Sequence, residues 1–98
     1  MSGESHDRLD EGTVVRLPRG VRMRFDSARS GWVLLAPERI FQLDAIAHAV
    51  LEKVDGERCI ADIIDALAAD YSAERRRISH DVHALFRALI ERGVLEVS

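Results

Sequence analysis

The sequence has only one cysteine, Cys59, and one lysine among its 98 residues. A single cysteine cannot form an internal disulfide, and no second cysteine accompanies it at a zinc-ligand spacing, which favours a reducing compartment. No stretch approaches the roughly 20 apolar residues of a membrane span, and residues 1–12 lack the apolar centre of a signal peptide. The sequence therefore predicts a cytoplasmic protein without a membrane segment.

Sequence motifs of enzymes are also missing. There is no G-x-S-x-G, no glycine-rich phosphate loop and no pair of carboxylates at a telling spacing. Cys59 lies at a predicted helix start, where thiols gain reactivity, but no nearby residue in the sequence resembles a base that would activate it. We therefore expect no catalytic residues.

The composition is that of one ordinary globular domain, with 47% apolar and 32% charged residues. The net charge of −3 argues against a general nucleic-acid binder. Thirteen of the 14 basic residues are arginines, concentrated at 16–39 and 75–92, while 44–74 is acidic. The arginine fork suits carboxylates, so this distribution fits either an acidic partner or an ordinary solvated surface.

The N-terminal half predicts β-strands. Residues 1–12 are polar and are expected to be a disordered tail or linker before a folded domain at 13–98. Val21 to Asp26 alternates with period two, Trp32 to Ala36 is apolar on both faces, and Arg39 to Leu43 alternates again. With turn-forming residues between these runs, we expect a three-stranded antiparallel meander with Arg39 to Leu43 at one edge.

Three helices are predicted to follow. The first begins at the N-cap Asp44 and ends at Gly56, the second begins at Cys59, a poor cap that suggests fraying, and the third ends at Gly93. Val94 to Val97 is expected to pack back or form a last strand. The predicted fold class is α+β and winged-helix-like, a three-stranded antiparallel β-meander followed by a three-helix bundle.

A polar stripe on the third helix contains Arg76, His80, His83 and Arg87 at spacings of four, three and four. Four interpretations remain open: a two-histidine metal site, a DNA recognition helix, a plain solvated face, and the polar rim of a groove.

An edge strand beside a helix with a wide apolar face suits an extended peptide, which would add to the sheet as a further strand. Phe41 and Leu43 are expected to point to the core, and Ile40 and Gln42 to the other face. Alternatively, Arg39 and Gln42 merely protect the edge from unwanted pairing.

Several short stretches, taken in order, resemble one family. They are R-F-D (24–26), V-L-L-A-P-E-R-I-F-Q-L-D (33–44), V-D-G (54–56), D-I-I (62–64), and D-V with L-F-x-x-L (81–89). Their order and spacing resemble the PqqD family of pyrroloquinoline quinone (PQQ) biosynthesis, and more widely the recognition elements of ribosomal precursor peptides. Asp44 and Cys59 depart from the family's preference for Asn and a hydroxyl residue, and both stand at predicted helix caps.

The resemblance implies a peptide chaperone that binds the precursor peptide PqqA by β-strand addition and presents it to the radical SAM enzyme PqqE. The iron–sulfur chemistry would belong to PqqE, so no cofactor or metal is expected here. The implied peptide-binding residues are Arg39, Ile40, Phe41, Gln42, Leu43, Ile78, Val82, His83, Leu85, Phe86, Arg87, Leu89 and Ile90. The alternatives are a winged-helix DNA-binding module and a scaffold that contacts only the enzyme.

Overall fold

The computed structural model describes residues 9–98, in which five strands and three helices are formed. The elements are β1 (Val15–Arg16), β2 (Arg22–Asp26), β3 (Gly31–Ala36), β4 (Arg39–Leu43), α1 (Ala45–Leu51), α2 (Ile60–Tyr71), α3 (Arg75–Glu91) and β5 (Glu96–Val97). Strands β2, β3 and β4 form an antiparallel sheet in that order, and β1 pairs with β5. The predicted α+β arrangement, a meander followed by three helices, is confirmed.

The β3–β4 hairpin is closed by a two-residue turn, Pro37-Glu38, between the paired residues Ala36 and Arg39. Proline fixes its own φ near about −65°, and Glu38 has a φ of 65°. A proline followed by a residue with positive φ is the pattern of a type II turn. This turn sets the register of β4 against β3.

The register gives the sheet two different faces. Met23, Leu34 and Phe41 lie in one cross-strand row, and this row packs on the apolar core. The neighbouring row contains Arg24, Val33 and Gln42 on the opposite face. The predicted orientation of β4 is thus confirmed, since Phe41 faces the core and Gln42 does not.

The apolar core lies between the sheet and the three helices. Its largest fully buried side chain is that of Phe86 in α3, which packs with Leu34 of β3 and with Ile60, Ile63 and Ile64 of α2. Burying each such side chain contributes roughly 1.5–3 kcal/mol. The core therefore fixes α3 against α2 and the sheet.

Helix α1 begins as predicted and ends earlier than predicted. The Asp44 carboxylate accepts a 2.8 Å hydrogen bond from the backbone N–H of Ala47, which makes Asp44 the N-cap. The helix ends at Leu51, well before Gly56. The Asp55 carboxylate accepts hydrogen bonds from the next two backbone N–H groups after Gly56, which hold the chain in a turn and lower the pKa of Asp55.

Helix α2 obtains its N-terminal hydrogen bonds from a distant segment. Cys59 is the N-cap and makes no side-chain cap bond, as expected. Instead, the carbonyl oxygens of Thr13 and Glu11 accept from the N–H groups of Ile60 and Ala61, each at 2.9 Å. Because these bonds satisfy two N–H groups that a helix leaves unpaired, the structure gives no support for the expected fraying.

The prediction of a disordered tail over residues 1–12 does not hold at its C-terminal end. Residues 1–8 lie outside the described part of the chain, but Leu9 is only 8% exposed and belongs to the core. Glu11 also pairs with Arg75 of α3. The polar composition of this segment predicted disorder, but one buried apolar side chain and a few backbone hydrogen bonds are enough to hold a short segment in place.

None of the helices within residues 9–98 has both the length and the apolar character that crossing a bilayer requires.

Candidate peptide-binding groove

Strand β4 lies at an edge of the three-stranded sheet. In the part of the chain that the structure describes, β4 pairs with β3 on one side and with no strand on the other. Arg39, Ile40 and Gln42 are exposed, whereas Phe41 and Leu43 are half-buried against the core. An edge of this kind leaves backbone donors and acceptors available to another chain.

The hairpin geometry identifies which backbone groups of β4 point outward. A type II turn forms a hydrogen bond between its first and fourth residues, here Ala36 and Arg39. Along an antiparallel pair, hydrogen-bonded and non-bonded residues alternate. Counting from Arg39, the N–H and C=O groups of Ile40 and Gln42 therefore face away from β3 and toward the open edge.

Helix α3 runs alongside β4 in the opposite direction. At one end, the Arg39 side chain donates a 2.8 Å hydrogen bond to the carbonyl oxygen of Arg92. At the other end, just after β4, Ile46 of α1 lies across a cavity from Ile78 of α3. The space between β4 and α3, which we call the β4–α3 groove, is thus closed near Arg39 and opens toward α1.

An apolar cavity of about 330 Å³ lies between the three helices, and its lining residue Ile46 follows the end of β4 by three positions. All three helices contribute to its wall. The lining residues are Ile46, Ala49, Val50, Leu67, Tyr71, Ala73, Arg77, Ile78, Asp81 and Val82. Its lining is mainly apolar, and Arg77 and Asp81 are the charged side chains in it, so the cavity suits a large apolar side chain beside a polar backbone.

Residues of α3 divide between the groove and the core. Val82 and Phe86 are 1% and 0% exposed and lie in the core, as does Leu89. Ile78 and Leu85 are half-buried and partly accessible. All five were predicted to contact the peptide, but in this structure Phe86 and Leu89 are core residues, and Val82 is a core residue that also lines the cavity.

Three further predicted residues lie on other sides of α3. At about 100° per residue, His83 and Ile90 are roughly 160° and 180° around the helix from the cavity residue Asp81. Arg87 is about 120° away and exposed. His83, Arg87 and Ile90 therefore lie away from the face of α3 that lines the cavity.

The imidazole of His83 holds the N-terminal segment. Its Nε2 lies 2.7 Å from the carbonyl oxygen of Leu9, and its Nδ1 lies 2.8 Å from that of Ser79. Among residues 9–98 no group of three potential ligands is placed to hold a metal ion. Of the four interpretations of the stripe, the solvated face fits Arg76, His80 and Arg87, which are exposed, and His83 has a structural role.

An ion-pair cluster lies close to His83. Arg75 binds both oxygens of Glu11, at 2.8 and 3.1 Å, and Asp65 of α2 at 2.6 Å. The hydrogen bonds from Arg75 lower the pKa of Glu11, and the two carboxylates raise that of Arg75. This cluster joins the N-terminal segment to α2 and α3, away from the groove.

Sequence reasoning missed two residues of the cavity. Ile46 and Tyr71 fit the helical apolar spacing of α1 and α2, which predicts that they face the core, but they are 60% and 57% exposed. Each lies at the end of a stripe that is wider than the core it faces. When the apolar face of a helix is wider than the core can bury, the residues at its end remain exposed. This excess of apolar residues is the sequence signal that could have indicated the site.

The fold and groove define a class of small α+β domain in which an open strand edge lies beside a helix and an apolar cavity. A family model described as "Coenzyme PQQ synthesis protein D (PqqD)" matches residues 31–95. The chain belongs to the PqqD family, as its sequence pattern predicted.

Curated relatives agree with this assignment. The chain is 41% identical over 95 residues to the "PqqA binding protein" of Bradyrhizobium diazoefficiens, covering 97% of this chain and 92% of that protein. It is 48% identical over 79 residues to that of Rhodopseudomonas palustris, covering 81% and 78%. It is also 47% identical over 83 residues to the "Bifunctional coenzyme PQQ synthesis protein C/D" of Methylorubrum extorquens, covering 85% of this chain and 22% of that protein.

Solved structures show the same fold. The solution NMR structure of the PqqD truncation of Methylobacterium extorquens PqqCD, described as a stand-alone recognition element for ribosomally synthesized and post-translationally modified peptides, superposes with a TM-score of 0.80. It is 43% identical, and the match covers 92% of this chain and 96% of the other. The crystal structure of PqqD from Xanthomonas campestris gives a TM-score of 0.56 at 43% identity, covering 79% and 86%.

Proposed function

We propose that this protein is a non-catalytic peptide chaperone of PQQ biosynthesis. It binds the precursor peptide PqqA as an added strand on β4 and presents it to the radical SAM enzyme PqqE, in the cytoplasm where ribosomal peptides are made. The names of the relatives support PqqA as the ligand. The observation that carries strand addition is the open β4 edge beside an apolar cavity.

The energetics require both parts of this site. Ordering an extended peptide costs several kcal/mol of binding free energy, and each strand hydrogen bond contributes only about 1 kcal/mol. Ile40 and Gln42 offer backbone groups for a few such bonds. Apolar burial at about 25 cal/mol per Å² must supply the remainder, and the cavity beside Ile46 and Ile78 is the place where an apolar peptide side chain would gain it.

The proposed set of peptide-contacting residues is smaller than the set that the sequence alone implied. Arg39 to Leu43 provide the pairing strand, while Ile78 and Leu85 line the helix side. Val82 forms part of the cavity lining, whereas Phe86 and Leu89 act by holding α3 in place. His83, Arg87 and Ile90 are left outside the contact surface.

Charge at the closed end favours an acidic peptide segment. The guanidinium carbons of Arg39 and Arg92 lie 5.3 and 5.8 Å from the ring centroid of Phe41. Two cations over one ring are an attractive site for a carboxylate, which can accept hydrogen bonds from either fork. The DNA-binding alternative is not favoured, since the relatives are PqqA-binding proteins.

An NMR titration of the isotope-labelled protein with a PqqA-like precursor peptide tests the proposal. We expect amide shifts concentrated in Arg39–Leu43, Ile46 and Ile78, with small changes in β2, the opposite edge of the same sheet. Shifts confined to β2, or none at high peptide excess, would contradict binding at this groove.

A further inference from the structure

The face of the sheet that points away from the helices, which we call the outer face, has an apolar centre. Val33, Leu35 and Ile40 lie there, with Arg22 and Arg24 opposite them on β2. Ile40 is 52% exposed, while Val33 is only 2% exposed although it is not part of the core cluster. Val33 lies between Arg24 and Gln42 across the strands, and long side chains such as arginine can shield apolar surface while their charge stays in water.

The sheet region is basic although the protein is acidic. Residues 13–43 contain six arginines and two carboxylates, against a net charge of −3 for the whole chain. One of those carboxylates, Asp26, is engaged by the backbone N–H of Ala28 at 3.0 Å and by Arg29 at 3.5 Å. Of the six arginines, Arg22 and Arg24 lie on the outer face, where they border its apolar residues along β2. Two arginines beside apolar side chains suit an acidic protein surface.

A peptide on β4 would enlarge this same face. The side chains of Ile40 and Gln42 point to the outer face, and residues directly opposite them on an added strand would point the same way. Alternate peptide side chains would then lie in line with Leu35 and Ile40. A partner on the outer face would contact the domain and the peptide at once.

We infer that the outer face of the β2–β3–β4 sheet is the docking surface for the enzyme that modifies the bound peptide, and that the enzyme meets it with a carboxylate-rich patch. This inference rests on the proposed function. In this arrangement one sheet has two binding surfaces. The β4 edge binds the peptide, and the outer face binds the enzyme.

The test compares two double variants of equal charge change. Arg22→Glu with Arg24→Glu reverses the charge of the outer face, whereas Arg58→Glu with Arg76→Glu changes two exposed arginines elsewhere. The affinity of each for PqqE and, separately, for a PqqA-like peptide is measured by calorimetry. We expect the outer-face variant to lose about tenfold in PqqE affinity, with peptide affinity within twofold of wild type and the control variant unchanged for both.

Equal PqqE affinity for the two variants, or no PqqE binding by the wild-type protein, overturns the docking surface. A parallel loss of peptide affinity in the outer-face variant also overturns it, since the arginines would then belong to the peptide site. If the wild-type protein binds PqqE but no peptide, and the outer-face variant alone loses PqqE, the docking surface stands and the chaperone function fails. Circular dichroism of both variants confirms that each is folded.

Discussion

The Nη2 of Arg39 donates a 2.8 Å hydrogen bond to the carbonyl oxygen of Arg92, joining the first residue of β4 to the residue that caps α3. The last carbonyl groups of a helix have no partner within it, so an arginine from another element both satisfies one and complements the helix dipole. Because the bond spans the groove at its closed end, it fixes the spacing between β4 and α3 there.

Replacing Gln42 with proline is expected to weaken peptide binding while the sheet stays intact. The N–H of Gln42 points to the open edge, so proline removes a donor offered to the peptide and none used by β3. Peptide affinity is measured by fluorescence anisotropy, with Gln42→Ala, which keeps the N–H, as the matched control. Unchanged affinity in a folded Gln42→Pro protein would exclude strand addition on this edge.

Ile46→Ser tests the cavity as an anchor site. Because Ile46 is 60% exposed, the substitution should change the free energy of unfolding by less than about 0.5 kcal/mol. Peptide affinity should fall by about tenfold, equivalent to roughly 1.4 kcal/mol. Val97→Ser is the control, since Val97 is similarly exposed at 53% on β5. If both variants bind like wild type, the cavity does not hold a peptide side chain.

Phe86→Ala should act on stability. The sequence suggested a groove-lining residue, but the ring is fully buried, and truncating a buried phenylalanine costs about 3–5 kcal/mol. Urea unfolding should show this loss for Phe86→Ala and almost none for Arg87→Ala one residue away. A Phe86→Ala protein of normal stability would mean that the ring does not occupy the core.

Stability should depend on pH through Glu11 and Arg75. The hydrogen bonds from Arg75 lower the pKa of Glu11 below its ordinary value of 4.5. A carboxyl group with a lowered folded-state pKa stabilises the fold above its unfolded pKa, and this contribution disappears as the pH falls through the folded pKa. Arg75→Gln should therefore be less stable than wild type at neutral pH.

The difference between Arg75→Gln and wild type should shrink as the pH falls below 4.5, as measured by urea midpoints across the range. Arg76→Gln, at the neighbouring exposed position, should match wild type throughout. A difference between Arg75→Gln and wild type that does not change with pH would show that the Glu11 carboxylate contributes nothing through this pair.

Much of the fold was predictable because it depends on local periodicity. Period-two alternation and the two turns gave the meander, and β4 begins and ends at the predicted residues. Asp44 and Gly93 were predicted as helix boundaries from their cap chemistry, and Gly93, with φ of 77°, follows the α3 cap. The end of α1 was missed because the N–H groups of Lys53 and Val54 bond to the carbonyl oxygens three residues earlier, Val50 and Leu51, which turns the chain before it reaches Gly56.

The sequence by itself therefore determined the family, through the order and spacing of short stretches between residues 24 and 89. It also determined the order of the elements and the edge position of Arg39 to Leu43, since these follow from patterns over a few neighbouring residues. Only the tertiary structure decided which face of α3 borders the groove, because its apolar stripe is broad enough to satisfy either the core or a ligand. The bonds that settle this join residues 74 positions apart, His83 to Leu9, and 53 apart, Arg39 to Arg92. Contacts of that range leave no periodic pattern along the chain, so only packing of the whole domain determines them.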